Sequence, residues 1–121
     1  MIRIINENEI LTEMANLSPK RTGLSVQIWS DGNGKSRNKK DTLPRVKIGT
    51  NDYSVSVSIE QNPKILAKTN NIKQSEMNKI NSAMKYVGRN YDLFLKHYDD
   101  TTGEFDDQDL FDALRERGDF K

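Results

Sequence analysis

Cysteine is missing from the 121 residues, and with it go disulfide frameworks, thiolate nucleophiles and cysteine-based zinc sites. Histidine is nearly missing too. His97 is the single one, so zinc sets assembled from several imidazoles are also excluded, although a site made largely of carboxylates stays open. Long apolar runs are absent: no stretch approaches the roughly 20 residues that span a bilayer. MIRII is followed directly by NENE and is too short for the apolar core of a signal peptide, so a cytoplasmic chain without membrane contact is expected. Neither an internal repeat nor a low-complexity tract is present. Hydrophobic residues make up 34% against 31% charged, with a mean hydropathy of −0.83, which implies a lean core and a heavily solvated surface.

What apolar residues there are fall in periodic clusters, so the chain is not disordered throughout and is expected to form one domain, 1–121. It is long enough for one core and too short for two. Residues 1–22 read as an N-terminal extension: Met1 to Ile5 suit a short strand, Asn6 or Asn8 suits the cap of a helix carrying Ile10, Leu11, Met14 and Leu17, and SPKRTG breaks it. Residues 23–98 read as the core. Leu24, Val26 and Ile28 alternate with Ser25, Gln27 and Trp29, the period of a half-buried strand. Val46 and Ile48, the turn GTND, and then Tyr53, Val55, Val57 and Ile59 alternating with Ser54, Ser56 and Ser58 form a hairpin with one apolar and one serine-lined, solvated face. On that reading Ser56→Lys is tolerated. Ile65 and Leu66 after Pro63 suit an edge strand or a cover for the sheet.

From Lys73 the period lengthens. Met77, Ile80, Met84, Val87, Tyr91, Phe94 and Tyr98 alternate spacings of three and four, one stripe along a helix spanning 74 to 98. The same heptad spacing suits a coiled coil, but the apolar sheet face is the nearer place to bury it. Residues 99–121 read as an acidic loop and a short helix. Asp106 is its N-cap, Asp109 stands at N3 of an imperfect capping box, Leu110, Phe111 and Leu114 face inward, and Gly118 ends it. The expected fold is therefore α+β, with a small antiparallel sheet of three to four strands packed on one long amphipathic helix.

The succession of strand, hairpin, IEQNPKILA and a helix ending in NYDLFLKHYDD resembles a widespread small bacterial domain family of unsettled activity, over about residues 24 to 98. That resemblance implies strands followed by a helix with a leucine and aromatic cluster, and a gene often placed beside another small one in toxin and antitoxin style. Members typically carry a proline and histidine pair entering the second strand. Here the segment is Leu43-Pro44-Arg45-Val46-Lys47, so Arg45 and Lys47 stand where histidines are expected and a histidine-dependent role does not carry over.

Catalytic patterns are scarce. His97 in a final helical turn complements the helix dipole. Ser54, Ser56 and Ser58 have no elbow motif around them and no base near in sequence. DGNGKS matches a phosphate-binding loop only at Gly34-Lys35-Ser36, with Trp29 where the first glycine belongs, so an Asn33-Gly34 turn is the expectation. In YDDTTGEFDDQD, Gly103 to Asp109 sit like the second half of a calcium loop, but Tyr98 takes the first ligand position. The alternatives are an acidic helix-capping loop and a weak divalent site near Asp100 and Asp106. Arg117-Gly118-Asp119 has the form of an adhesion tripeptide, expected to be of no account in a chain without export signals.

Net charge is only +1, yet the charges are segregated. Lys35, Arg37, Lys39, Lys40, Arg45 and Lys47 oppose a single acid, Asp41, just after Trp29, whereas residues 99 to 112 hold seven acids and no base. No catalytic residue, cofactor or metal is expected. The reading is a non-enzymatic protein-binding or regulatory module with an unidentified protein partner. Its candidate contacts are Trp29 and those six cations on one side, and Asp106, Asp107 and Asp109 on the other. One alternative is a nucleic-acid-binding accessory factor using residues 35 to 47. Another is a phage or mobile-element inhibitor of a nucleic-acid enzyme, its acidic segment imitating nucleic acid.

Overall fold

A computed structural model describes residues 14–32 and 43–121. Expectations for residues 1 to 13, including Ile10 and Leu11, and for the Asn33-Gly34 turn lie outside the described residues. The architecture is α+β. Five antiparallel strands lie in the order β1 (Ala15–Leu17), β2 (Gln27–Ser30), β3 (Arg45–Gly49), β4 (Ser54–Ser58) and β5 (Ile65–Lys68). The expected hairpin is β3–β4, closed where the Thr50 amide donates to the Tyr53 carbonyl at 2.9 Å. Its register sets Ile48 opposite Val55 and Val46 opposite Val57, so all four project to one face and are buried together.

The sheet has five strands where the pattern indicates three to four. β1 is the addition, three residues too short to show a period, and it corrects the helical assignment of Leu17. That side chain is fully buried opposite Ile28. Likewise SPKRTG is not merely a breaker. Pro19 fits the first turn of a four-residue helix, α1 (Pro19–Thr22), which Gly23 ends in the left-handed region at φ 81°. β2 starts at Gln27 rather than Leu24, although Val26 is buried in the core.

The single helix expected over 74 to 98 is two helices, α2 (Gln74–Arg89) and α3 (Tyr91–Tyr98). Asn90 separates them at φ −116°, ψ 20°, outside helical geometry, and its Nδ2 donates to the Tyr86 carbonyl at 3.1 Å and to Asp119 at 2.8 Å. The break moves the buried face out of step with a continuous stripe. Tyr91 turns outward with 38% of its surface exposed, while Tyr86 and His97 are enclosed. α2 packs on β3 and α3 on β2. Gly88 lets α2 approach the β4–β5 turn, since a Cβ there would lie 2.5 Å from the Gln61 carbonyl oxygen. Among the described residues no helix is long and apolar enough to cross a membrane.

α4 (Asp107–Glu116) carries a complete capping box, Asp109 N–H to Asp106 Oδ1 at 2.9 Å and Asp106 N–H to Asp109 Oδ2 at 3.1 Å. Leu110 and Leu114 are buried, and Phe111 stacks on Phe120 with centroids 4.8 Å apart. The C-terminal segment is therefore part of the core and is strapped down at its end. Arg89 grips the Asp119 carboxylate with two hydrogen bonds of 3.0 Å, Tyr86 donates to the Asp119 carbonyl at 2.7 Å, and Arg117 pairs with Asp92. Both charged members of the Arg117-Gly118-Asp119 tripeptide are thus engaged within the fold.

The Arg89 hydrogen bond, reinforced by Asn90 and by the charges of Arg89 and Arg117, outweighs desolvation and holds the Asp119 carboxyl below its usual range. A carboxyl depressed in the folded state adds stability above its unfolded value of about 3.9, and that stability is lost as pH falls through the folded value. Asp119→Asn should accordingly lower the melting temperature at neutral pH and shrink the wild-type loss below about pH 4. Parallel melting curves for both proteins across that acid range would exclude this role for the strap.

Candidate functional site

Registers across the sheet align one row on the face turned away from α2 and α3: Asn16, Trp29, Lys47, Ser56 and Ala67, each opposite the next. Arg45 precedes Lys47 by two residues on β3 and therefore shares its face. At the β2–β3 end of this row lies a cavity of about 240 Å³ whose lining includes Trp29, Asp31, Arg45, Lys47, Ser56 and Tyr98. Three candidates from two strands, Trp29 on β2 and Arg45 and Lys47 on β3, are thus brought to one place. Arg45 Nε donates to the Leu43 carbonyl at 3.3 Å, and its two terminal nitrogens have no hydrogen-bond partner among the described residues. The guanidinium is a planar two-pronged donor on a residue that lines the same cavity as Trp29. Lys35, Arg37, Lys39 and Lys40 lie outside the described residues.

The serine face departs from the solvated surface expected of it. Ser58 is only 5% exposed, because the β4–β5 turn folds over it: its hydroxyl donates to Glu60 and accepts the Lys64 amide at 2.9 Å. Ser56 is half-buried directly opposite Lys47. Ser56→Lys would set two ammonium groups across one strand pair, which is destabilising rather than neutral.

The acidic candidates occupy a different region. Asp106 and Asp107 border an open groove of about 620 Å³ with Gly32, His97, Asp100 and Phe111, and among the described residues this groove shares no lining residue with the Trp29 cavity. Their carboxylates have local duties. Asp106 and Asp109 cap α4, and Asp100 Oδ1 accepts the backbone amides of Thr102, Gly103 and Glu104 at 3.0 to 3.3 Å. Among the described residues no group of three or more His, Asp or Glu side chains is placed to hold a metal ion. The loop is a capping loop.

A second constellation has no counterpart in the sequence reading. His97 is fully buried, with Nδ1 2.8 Å from Ser30 Oγ and Nε2 2.7 Å from Asp107 Oδ1. An ionised carboxylate only accepts, so in a neutral ring Nε2 carries the proton toward Asp107 and Nδ1 accepts the Ser30 hydroxyl. The order serine, histidine, carboxylate is that of a hydrolase relay. Ser30, however, is wholly enclosed and does not border the groove that reaches His97, so no electrophile meets its hydroxyl. The trio instead ties β2, α3 and the start of α4 together. Gly32 passes so close that a Cβ would lie 2.4 Å from His97 Nε2. Two sequence signals point to this tie: a histidine three residues after Phe94 within a buried face, and a serine two after Ile28 on the core side of a strand.

No protein-family model, curated protein or solved structure matches the chain.

Proposed function

We propose that the protein is a non-enzymatic binding module that docks a protein partner on the outer face of its sheet. The observation that carries this reading is the meeting of Trp29, Arg45 and Lys47 around one cavity, which Tyr98 at the end of α3 also borders. Tryptophan and arginine in a partly enclosed pocket are the residue types that anchor protein interfaces. The enclosure of Ser30 and the capping duties of Asp106 and Asp109 favour binding over chemistry.

The same residues favour a second reading, since cations beside an indole also suit nucleic acid. Trp29 separates the two. With 6% of its surface exposed it is a wall of the cavity, whereas a base-stacking platform presents an open ring face. Affinity capture from the source cells, with and without nuclease, tests the proposal. Wild type should retain a protein after nuclease treatment, and Arg45→Glu should lose it. Capture abolished by nuclease, together with oligonucleotide binding that falls steeply up to about 0.2 M salt, would transfer the function to nucleic acid.

A further inference from the structure

We infer that the outer edge of β5 is a second docking site, which takes an extended, acidic segment of a partner protein as an added strand. β5 ends the sheet, and among the described residues no strand lies beyond it. The ladder decides which of its backbone groups are open. The Lys64 carbonyl accepts the Ser58 amide at 2.9 Å and the Thr69 amide donates to the Ser54 carbonyl at 3.0 Å, so Lys64 and Thr69 are turned toward β4. Backbone groups alternate in direction along an antiparallel pair. Counted from either end of the strand, on both sides of its bulge, the N–H and C=O groups of Ile65 and Lys68 therefore point to the open side. Such a row is a template for another strand. Ile65 is also 38% exposed, and a strand laid beside it would cover that apolar surface.

Charge selects the occupant. Residues 61 to 75 carry Lys64, Lys68 and Lys73 and no acid. Lys64 and Lys68 are exposed at the edge, and neither has an ion pair among the described residues. A second copy set edge to edge would gather four lysines along one short pairing, which is how lysines guard an edge against self-association. A strand bearing glutamate or aspartate turns the same lysines into favourable cross-strand pairs. Backbone hydrogen bonds then supply the affinity and the lysines the choice of partner. None of these β5 residues lines the Trp29 cavity, so the edge stands or falls independently of docking on that face.

The isotope-labelled full-length protein is titrated with the acetylated, amidated peptide Glu-Glu-Val-Thr-Val-Glu-Glu while its amide resonances and hydrogen exchange are followed. Two control peptides run in parallel, one with Gln for every Glu and one N-methylated at alternate residues. The acidic peptide should shift the Ile65 to Lys68 amides saturably and protect those of Ile65 and Lys68 from exchange. Lys68→Gln should weaken binding up to about fivefold, the worth of one cross-strand charge pair. Lys68→Pro also removes an outward N–H that β4 does not use, and should weaken it about tenfold or more. Arg45→Glu should bind the peptide as wild type does. Circular dichroism confirms that the variants are folded. Absence of binding by the acidic peptide, or equal binding by the N-methylated one, would overturn strand addition. Equal binding by the Gln peptide would overturn the acidic occupant. Shifts at β5 that follow protein concentration alone would make the occupant a second copy and overturn the separate partner. If the peptide fails while nuclease-resistant capture still depends on Arg45, the edge site falls and the docking face stands.

Discussion

Ile80→Asp is expected to leave the protein unfolded at room temperature. Ile80 is fully buried on α2, in one cluster with Ile48, Val55 and Val87 beneath the sheet. Removing the aliphatic side chain alone costs about 2–5 kcal/mol, and an unpaired carboxylate in its place adds roughly 3 kcal/mol or more whether it stays charged or takes up a proton. Together these equal or exceed the lower part of the roughly 5–15 kcal/mol that holds an ordinary domain, and a chain with so lean a core has little in reserve. Ile80→Val keeps the surface apolar and should cost only about 0.5–1.5 kcal/mol. Asn81→Asp places the same carboxylate one residue away on the exposed side and should leave the fold intact. Circular dichroism and thermal melting read all three. An Ile80→Asp protein with unchanged spectrum and midpoint would mean that α2 does not pack on the sheet.

His97→Leu should cost about 2–4 kcal/mol, although it makes the site more apolar, because it strands a buried hydroxyl. Ser30 Oγ is completely enclosed, and no other side-chain partner is described for it. Asp107 at the same time loses the contact that anchors the start of α4. For a domain of this size the loss corresponds to a fall of roughly 10 °C in melting temperature. The double variant Ser30→Ala/His97→Leu should be more stable than His97→Leu alone, since deleting both partners leaves no unmet hydroxyl. A strictly additive pair would show that the Ser30–His97 bond contributes nothing.

Much of the local structure is written in short stretches of sequence. Val46, Ile48, Val55 and Val57 determine the β3–β4 hairpin because alternate side chains in an extended chain share a face and the GTND turn brings the two runs into register. Asp106, Asp109 and Gly118 mark the ends of the last helix because caps satisfy its orphaned backbone groups within a few residues. Signals of this kind are complete within one or two turns of chain. β1 and the Asn90 break are not: Ala15–Leu17 is a strand only because β2 lies beside it, and Asn90 leaves helical geometry in a setting where Asp119, far along the chain, accepts its side-chain amide.

The candidate site divides along the same line. Sequence identified Trp29, Arg45 and Lys47 by type, as an aromatic residue next to a run of cations, and identified the acids after Tyr98 as a capping loop or a weak ion site. Tertiary structure decided that strand register gathers the first three around one cavity and that Asp106 and Asp109 are occupied in capping. It alone decided the fate of His97, whose partner Ser30 is 67 residues distant. The physical reason is range. Backbone periodicity and capping act over a few residues and leave a pattern in composition, whereas which polar groups meet in the interior depends on how β2, α3 and α4 pack, and packing couples residues that no local pattern links.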